Sequence, residues 1–187
     1  KTHIFILIAV IIFAKYNLLF AAAKPENVLV VINDASPESK EIGAYYQKKR
    51  GIPEINMMHY TGVTDEIVNV YKVYDPLVIA IKSWINSKGI YNKIDYIVLT
   101  KGVPLATTST GSLTNNLMVM DASPSITEKW TNPYCGSYWY GNNMSNQIDD
   151  TFSHSKTYNG YTHLYLVTRL DGYTVDDVKK LINNSIN

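Results

Sequence analysis

The sequence predicts an α/β domain in three layers, with a mainly parallel sheet of at least four strands and helices on both faces. Two observations predict this fold. Short β-branched apolar runs, typical of strands buried on both faces, alternate with segments that carry helix-cap residues at their ends. Alternation of strands and helices is typical of a parallel sheet, and right-handed crossovers place the helices on both of its faces.

The first strand and the first helix follow each other near the start of this pattern. Residues 28–32 form a continuous apolar run, which predicts a buried strand. Ser36 and Pro37 predict a helix start, because Ser caps a helix well and Pro suits the first helical position. Gly51 follows a basic run and predicts the end of this helix, since glycine commonly follows the last helical turn.

The middle of the chain repeats the pattern. Residues 55–60 predict a second strand. Asp75 and Pro76 predict the start of a second helix by the same combination of cap residue and proline, and Gly89 predicts its end. Residues 94–100 predict a third strand.

The last strand and helix lie near the end of the sequence. Residues 162–168 predict the fourth strand. Thr174 and Asp177 have the spacing of a capping box and predict the start of the final helix. The apolar face of this helix is predicted to comprise Val178, Leu181 and Ile182.

Residues 1–23 differ from the rest of the chain and predict an export segment. A basic start precedes an apolar run over residues 4–14, and small residues follow at 21–23. These features are typical of a secretory signal, with cleavage predicted after Ala23. A retained membrane anchor is the alternative, although a spanning helix needs roughly 20 apolar residues and Lys15 interrupts this run. We therefore expect an exported protein (periplasmic, extracellular or at the cell surface) that meets the membrane only through this segment.

Residues 24–187 are predicted to form a single α/β domain with an aromatic-rich excursion at about 118–161. Because the final residues have the pattern of an unfinished helix, we expect the natural chain to continue beyond them. The excursion does not fit the strand–helix rhythm, and long irregular segments in compact domains are often functional. Its tyrosines and tryptophans could stack on sugars, contact another protein, or pack together as a second small core.

Composition and charge indicate the class of protein and bear on its partners. The chain has 187 residues, 46% of them hydrophobic and 18% charged, with a net charge of +1. This composition is typical of a globular domain, and nothing in it favours nucleic acid as a partner. The single cysteine, Cys135, cannot form an intrachain disulfide.

Four charged residues form the candidate binding site. Asp34 follows the first predicted strand, Lys101 the third, and Arg169 and Asp171 the fourth. Parallel strands end at one edge of their sheet, and ligands of open α/β sheets bind beyond that edge. We therefore expect the four side chains to converge on one crevice, with the two cations holding an anionic group. The alternative is that Arg169 forms a structural ion pair with Asp171 or Asp34 and binds no ligand.

Other chemical groups give weaker patterns. The histidines do not have the spacing of a zinc site, and no phosphate-binding or nucleophile motif is present, so we predict no metal and no cofactor. Asp149 and Asp150, with Asp121, could bind calcium but are more simply solvated loop residues. His154 is the histidine most suited to act as an acid or base, and no motif supports pairing it with Cys135 as a thiol nucleophile.

Residues 26–39, 42–53, 96–105 and 165–172 resemble a family of uncharacterised exported bacterial proteins. This resemblance implies a longer natural chain and implies no activity. A looser similarity, at the level of the fold, is to the caspase and gingipain-like peptidases. In that fold a His-Gly pair follows one strand and the catalytic Cys follows another. At the corresponding positions this chain has Lys-Gly at 101–102 and Thr-Arg at 168–169, so neither catalytic residue is present. The similarity therefore implies a relative without this peptidase mechanism.

Two hypotheses for the function follow, and whether the protein is an enzyme stays open. The first is an exported domain that binds a small anionic or polymeric ligand at the carboxyl edge of the sheet. The alternative is a hydrolase acting on an extracellular polymer, with acid and base groups from Asp34, Asp171 and His154. Two carboxyl groups about 5–9 Å apart across an open crevice would favour the hydrolase. Carboxylates tied to Lys101 or Arg169 would favour binding or a structural role.

Overall fold

The structure is a computed structural model, and it describes residues 24–72, 74–108, 111–121, 154–155 and 163–185. The predicted export segment and most of the predicted aromatic-rich excursion, with Cys135, Asp149 and Asp150, lie outside these residues. The strands are β1 Val28–Asn33, β2 Met57–Tyr60, β3 Ile67–Val68, β4 Tyr96–Thr100, β5 Ala106–Thr107, β6 Gly111–Ser112 and β7 Leu166–Leu170. The helices are α1 Pro37–Arg50, α2 Ala80–Ser87, α3 Leu113–Met118 and α4 Val175–Asn184.

The main sheet has four parallel strands in the order β2-β1-β4-β7. Every residue of the central strand β1 is buried, which explains why its sequence is an apolar run without alternation. The prediction of a parallel α/β sheet with at least four strands is confirmed.

Helices cover both faces of this sheet and complete three layers. On one face, Val30 and Ile32 of β1 pack with Ile42 of α1 and Val178 of α4. On the other face, Leu29 and Val31 of β1 belong to a core with residues of α2 and α3, which include Ile81, Ile85 and Leu117. The expected placement of helices on both faces is therefore confirmed.

Local capping signals place both ends of α1 and the start of α4 where the sequence predicts them. The Ser36 hydroxyl accepts a hydrogen bond from the amide of Ser39, and Gly51 ends α1 in the left-handed conformation with φ 66°. Thr174 and Asp177 form the predicted capping box at the start of α4. These signals succeed because each depends only on residues within one turn of the helix end.

Strand boundaries and one core residue differ from the prediction. The first strand extends to Asn33 where the prediction ends at residue 32, and β4 starts at Tyr96 where the prediction starts at residue 94. The second strand starts at Met57 and not at residue 55, because the Asn56 side chain donates to the Val28 carbonyl at 2.9 Å and ends the ladder there. The last strand covers Leu166–Leu170 and not 162–168, because His163 has a φ of 61°, which is incompatible with a strand. Leu181 is 51% exposed and does not belong to the core.

The start of the second helix also differs from the prediction. Tyr74–Ile79 forms a π-helical turn, and the regular helix α2 begins only at Ala80. The apolar residues Leu77, Ile81 and Ile85 of this turn and of α2 are nevertheless all at most 1% exposed.

Residues between the strands of the main sheet form a second, smaller sheet that the sequence did not predict. It has the order β3-β5-β6, and each of its strands has two residues. Strands this short carry no detectable periodicity. Among the described helices, none has the length and apolar character needed to cross a membrane.

Candidate functional site

A crevice of about 370 Å³ lies at the carboxyl edge of the main sheet. This is the edge at which open α/β sheets bind ligands, and the volume is at the small end for ligand sites. The crevice is formed by the start of α1 and by the segments that follow β2, β4 and β7. Its lining comprises residues 35–38, Thr64, Glu66, residues 101–103, Leu105, Arg169 and Asp171.

Asn33, the last residue of β1, holds the surrounding segments together. Its side chain is fully buried. The Asn33 amide nitrogen donates to the carbonyls of Val63 and Gly102 at 3.0 and 2.9 Å, and its oxygen accepts from the Gly62 amide at 3.1 Å. One side chain therefore fixes the segment after β2 and the segment after β4 against β1. This role of Asn33 was not predicted from the sequence.

Hydroxyl groups tie the start of α1 to β4. The Thr100 hydroxyl donates to the Val31 carbonyl at 2.9 Å, so its oxygen accepts the proton of Ser39, whose hydroxyl lies 2.5 Å away. Gly102 has a φ of 90°, and a Cβ atom at this position would overlap the Ser36 hydroxyl. Only glycine allows this close approach of the β4 exit to the helix start.

Lys101 follows β4 and reaches across to the segment that follows β7. Its ammonium group donates to the carbonyls of Gly172 and Tyr173 at 2.8 and 3.3 Å. No carboxylate within the described residues forms an ion pair with this ammonium group. Carbonyl groups orient the charge of Lys101 and do not neutralise it.

Arg169 lies within β7 and reaches in the opposite direction. Its guanidinium group donates to the carbonyls of Val103 and Pro104 at 2.6 and 2.9 Å, and its side chain is only 15% exposed. Burial lowers the pKa of this guanidinium from its ordinary value, and the charge of Asp171 partly opposes the shift. Arginine nevertheless stays protonated in proteins, so the charge is retained.

Lys101 and Arg169 thus form a reciprocal clamp. The cation after β4 binds carbonyls after β7, and the cation in β7 binds carbonyls after β4. The partners of each cation are backbone atoms distant in sequence, which no sequence pattern identifies.

Three of the four predicted site residues line the crevice, and one does not. Lys101, Arg169 and Asp171 are part of its lining. Asp171 lies 3.5 Å from Arg169 and accepts a hydrogen bond from the Gly172 amide. Asp34 is outside the lining and pairs with His59 at 2.8 Å. The described contacts of Asp34 therefore include an ion pair with His59 on the neighbouring strand β2 and none with Lys101 or Arg169.

Two carboxylates that the sequence did not single out as site residues also line the crevice. Glu38 lies in the first turn of α1, and Glu66 precedes β3. Both are exposed, and neither carboxylate forms a hydrogen bond or an ion pair within the described residues. The charge of Glu66 acts on Arg169. The described lining therefore contains both cations and carboxylates.

His154 lies at the opposite edge of the sheet. Its backbone amide donates to Asp95, which precedes β4, and its ring contacts the carbonyl of Leu164, which precedes β7. Because β4 has five residues, roughly 15 Å of strand separates this edge from the crevice. His154 therefore does not join Asp34 and Asp171 in one site.

The amino edge around His154 is packed with rings. The His154 ring stacks on Tyr165 with centroids 4.2 Å apart, and Tyr91 meets it edge-on at 5.0 Å. Nδ1 of His154 lies 3.1 Å from the Leu164 carbonyl, which makes Nδ1 the protonated nitrogen. Nε2 is buried and has no hydrogen-bond partner among the described residues. Burial lowers the pKa of His154 from its ordinary value, although the Leu164 hydrogen bond opposes this.

A chain of polar groups continues from Tyr165. The Tyr165 hydroxyl donates to Asp121 at 2.8 Å, and Lys82 of α2 pairs with the same carboxylate at 2.9 Å. Burial raises the pKa of Tyr165, and the charge of Asp121 adds to the shift. Asp121, considered from the sequence as a calcium ligand, is thus bound by a cation and a hydroxyl group.

Within the described ranges, no group of three or more histidine, cysteine or acidic side chains is arranged to hold a metal ion. Comparison with known proteins found no matching family model, no similar curated protein and no similar solved structure.

Proposed function

We propose that this protein is an exported binding domain whose crevice at the carboxyl edge of the sheet holds a small ligand with an anionic group. The observation that carries the proposal is Lys101. It lines the crevice, and two carbonyl groups fix its position. No described carboxylate forms an ion pair with it, although its charge acts on the carboxylate of Asp177. Export is inferred from residues 1–23, which lie outside the described part of the chain.

The ammonium group of Lys101 has a donor left for a ligand. An ammonium group has three N–H donors, and two carbonyls accept from this one. The third donor can bind a carboxylate or phosphate oxygen, and a hydrogen bond between charged groups is about twice as strong as one between neutral groups. The amino end of the 14-residue helix α1 adds positive potential on the same side of the crevice.

Arg169 and Asn33 fix the shape of the crevice. Arg169 uses its terminal nitrogens on the carbonyls of Val103 and Pro104, so it holds the crevice wall and contributes charge at longer range. Asn33 fixes two further segments of the wall. A site held in one shape before binding loses little conformational entropy when the ligand enters, which favours affinity.

One observation supports hydrolysis of an extracellular polymer as a second candidate. Asp34 holds Nδ1 of His59 at 2.8 Å, and both side chains are partly exposed. A carboxylate that orients a histidine in this way leaves the other ring nitrogen free to accept a proton. The pair lies outside the crevice lining, so this candidate does not use Lys101.

The test is the ligand-dependent rise in melting temperature of the protein. We would measure it with inorganic phosphate, acetate, galacturonate and galactose, and with calcium chloride. A ligand that binds only the native state raises the melting temperature as its concentration increases. We expect a rise with galacturonate or another anion and none with galactose.

The variants Lys101→Met and Lys48→Met complete this experiment. Lys101→Met keeps the aliphatic stem but removes the charge, and we expect it to lose the anion-dependent rise relative to its own melting temperature. Lys48 is exposed on α1 outside the crevice, so Lys48→Met should keep the rise. An equal rise in both variants, or no rise with any anion, would refute the binding proposal.

A further inference from the structure

We infer that the ligand of the crevice is a zwitterion, a small molecule such as a short peptide with a carboxylate at one end and an ammonium group at the other. This inference rests on the proposed function, since it concerns the same site. It depends on the charged groups of the lining that can still form hydrogen bonds to a ligand.

The free groups of the lining have opposite signs. Lys101 has one ammonium donor beyond the two that bind carbonyls. Glu38 and Glu66 have carboxylates without a hydrogen bond in the described part of the chain, whereas Arg169 and Asp171 already contact each other. An anion alone would meet Lys101 but would also face two free carboxylates.

A ligand with a single negative charge is therefore poorly matched to this lining. Like charges raise the free energy of binding, and opposite charges lower it when the potentials of both partners are complementary. A carboxylate at Lys101 and an ammonium group at Glu66 or Glu38 satisfy both signs at once.

The size of the crevice suits a short peptide. Its volume of about 370 Å³ is small for a ligand site and excludes an extended polymer as a fully enclosed ligand. Asn33 and Arg169 hold the backbone that bounds the crevice, so its walls keep one shape when a ligand enters.

The test uses four forms of one dipeptide in isothermal titration calorimetry. These are alanyl-alanine, its N-acetyl form with only the negative charge, its C-terminal amide with only the positive charge, and the doubly blocked form. We expect alanyl-alanine to bind about tenfold or more tightly than either singly blocked form, because each lost charge removes a charged hydrogen bond. The doubly blocked form should bind most weakly.

Glu66→Gln and Glu38→Gln keep the shape of the side chains and remove one carboxylate each. We expect the two substitutions together to weaken alanyl-alanine about tenfold and to leave the affinity for N-acetyl-alanyl-alanine equal or higher. Asp65→Asn is the matched control, since Asp65 is an exposed acid next to Glu66 outside the lining. It should change neither affinity.

The outcomes separate this inference from the proposed function. If the N-acetyl form binds as tightly as alanyl-alanine, and Lys101→Met abolishes both, the anion site stands and the zwitterion inference is wrong. If the amide form binds as tightly as alanyl-alanine, Lys101 has no role and both proposals fail. If no form of the dipeptide binds and the anions of the melting experiment also have no effect, both proposals are refuted. If no form of the dipeptide binds but those anions do, only the zwitterion inference is refuted.

Discussion

The two edges of the main sheet are built from the same strands and have opposite character. At the carboxyl edge, Lys101 and Arg169 bind backbone carbonyls around an open polar crevice. At the amino edge, the rings of His154 and Tyr165 stack in a buried cluster. The amino edge is closed by packed rings and their polar contacts, whereas polar contacts at the carboxyl edge fix the backbone around an open crevice.

The largest effect is expected at the amino edge, from Tyr165→Ala. Tyr165 is fully buried and stacks on His154, so truncation removes a large packed ring and leaves a cavity. We expect a loss of about 3–5 kcal/mol in the free energy of unfolding, measured by urea denaturation. Tyr173→Ala is the control, because Tyr173 is 98% exposed and should change stability by less than about 0.5 kcal/mol. Similar losses in the two variants would contradict the closed character of the amino edge.

The next effect is expected at the carboxyl edge, from Arg169→Met. This substitution keeps an apolar stem but leaves the carbonyls of Val103 and Pro104 without their donor. We expect the free energy of unfolding to fall by about 1–3 kcal/mol. Arg169→Lys should recover only part of this loss, since one ammonium group cannot reproduce the planar arrangement of guanidinium donors. Full recovery by lysine would show that only the charge of Arg169 matters.

A pH-dependent effect distinguishes the two edges further. Among the described residues, the aromatic and titratable groups around the buried His154 ring are Tyr91, Tyr165, His163, Asp95 and Asp121. Because burial lowers the pKa of His154 in the folded state, the unfolded chain binds its proton more readily. The stability that the neutral His154 ring contributes is therefore fully present well above pH 6.5. It is lost as the pH falls through 6.5 towards the folded-state pKa of His154.

The variant His154→Phe tests this prediction. Between pH 7.5 and 5, binding of one proton to His154 in the unfolded chain lowers the free energy of unfolding by at most about 1.4 kcal/mol per pH unit. The variant has no histidine at this position and should lack this part of the pH dependence. The control is Leu181→Ala, because Leu181 is 51% exposed and carries no titratable group, so this variant should keep the pH dependence of the original protein. The same slope in the protein and in His154→Phe would contradict the assignment.

The smallest effect is expected from Asp34→Asn. The pair of Asp34 and His59 is solvent-exposed, with side chains 38% and 47% exposed, so water and salt weaken it. We expect a change of less than about 1 kcal/mol in the free energy of unfolding. The anion-dependent rise in melting temperature should stay unchanged, because Asp34 does not line the crevice. Loss of that rise would place Asp34 in the binding site after all.

The sequence predicted what depends on local residues and missed what depends on distant ones. The caps at Ser36 and Thr174 were predicted because their hydrogen bonds span three residues along the chain. The start of β7 was missed because the segment before it has a strand-like composition, while tertiary packing buries Leu164 and leaves His163 in a left-handed conformation.

The candidate site was predicted in part for the same reason. Strand exits follow from the fold, so Lys101, Arg169 and Asp171 could be expected at one edge. The partner of Asp34 could not, because His59 is on another strand and its direction depends on register. Glu66 was missed because it lies in a stretch without any periodic pattern.

The reciprocal clamp also bears on how the molecule opens. Releasing the segment after β4 breaks the bonds of Arg169 to that segment and the bonds of Lys101 to the segment after β7. Neither segment can therefore detach while the other keeps all its contacts, so the two are expected to open as one cooperative unit. A protease that cuts after β4 and hydrogen exchange after β7 would then report the same fluctuation.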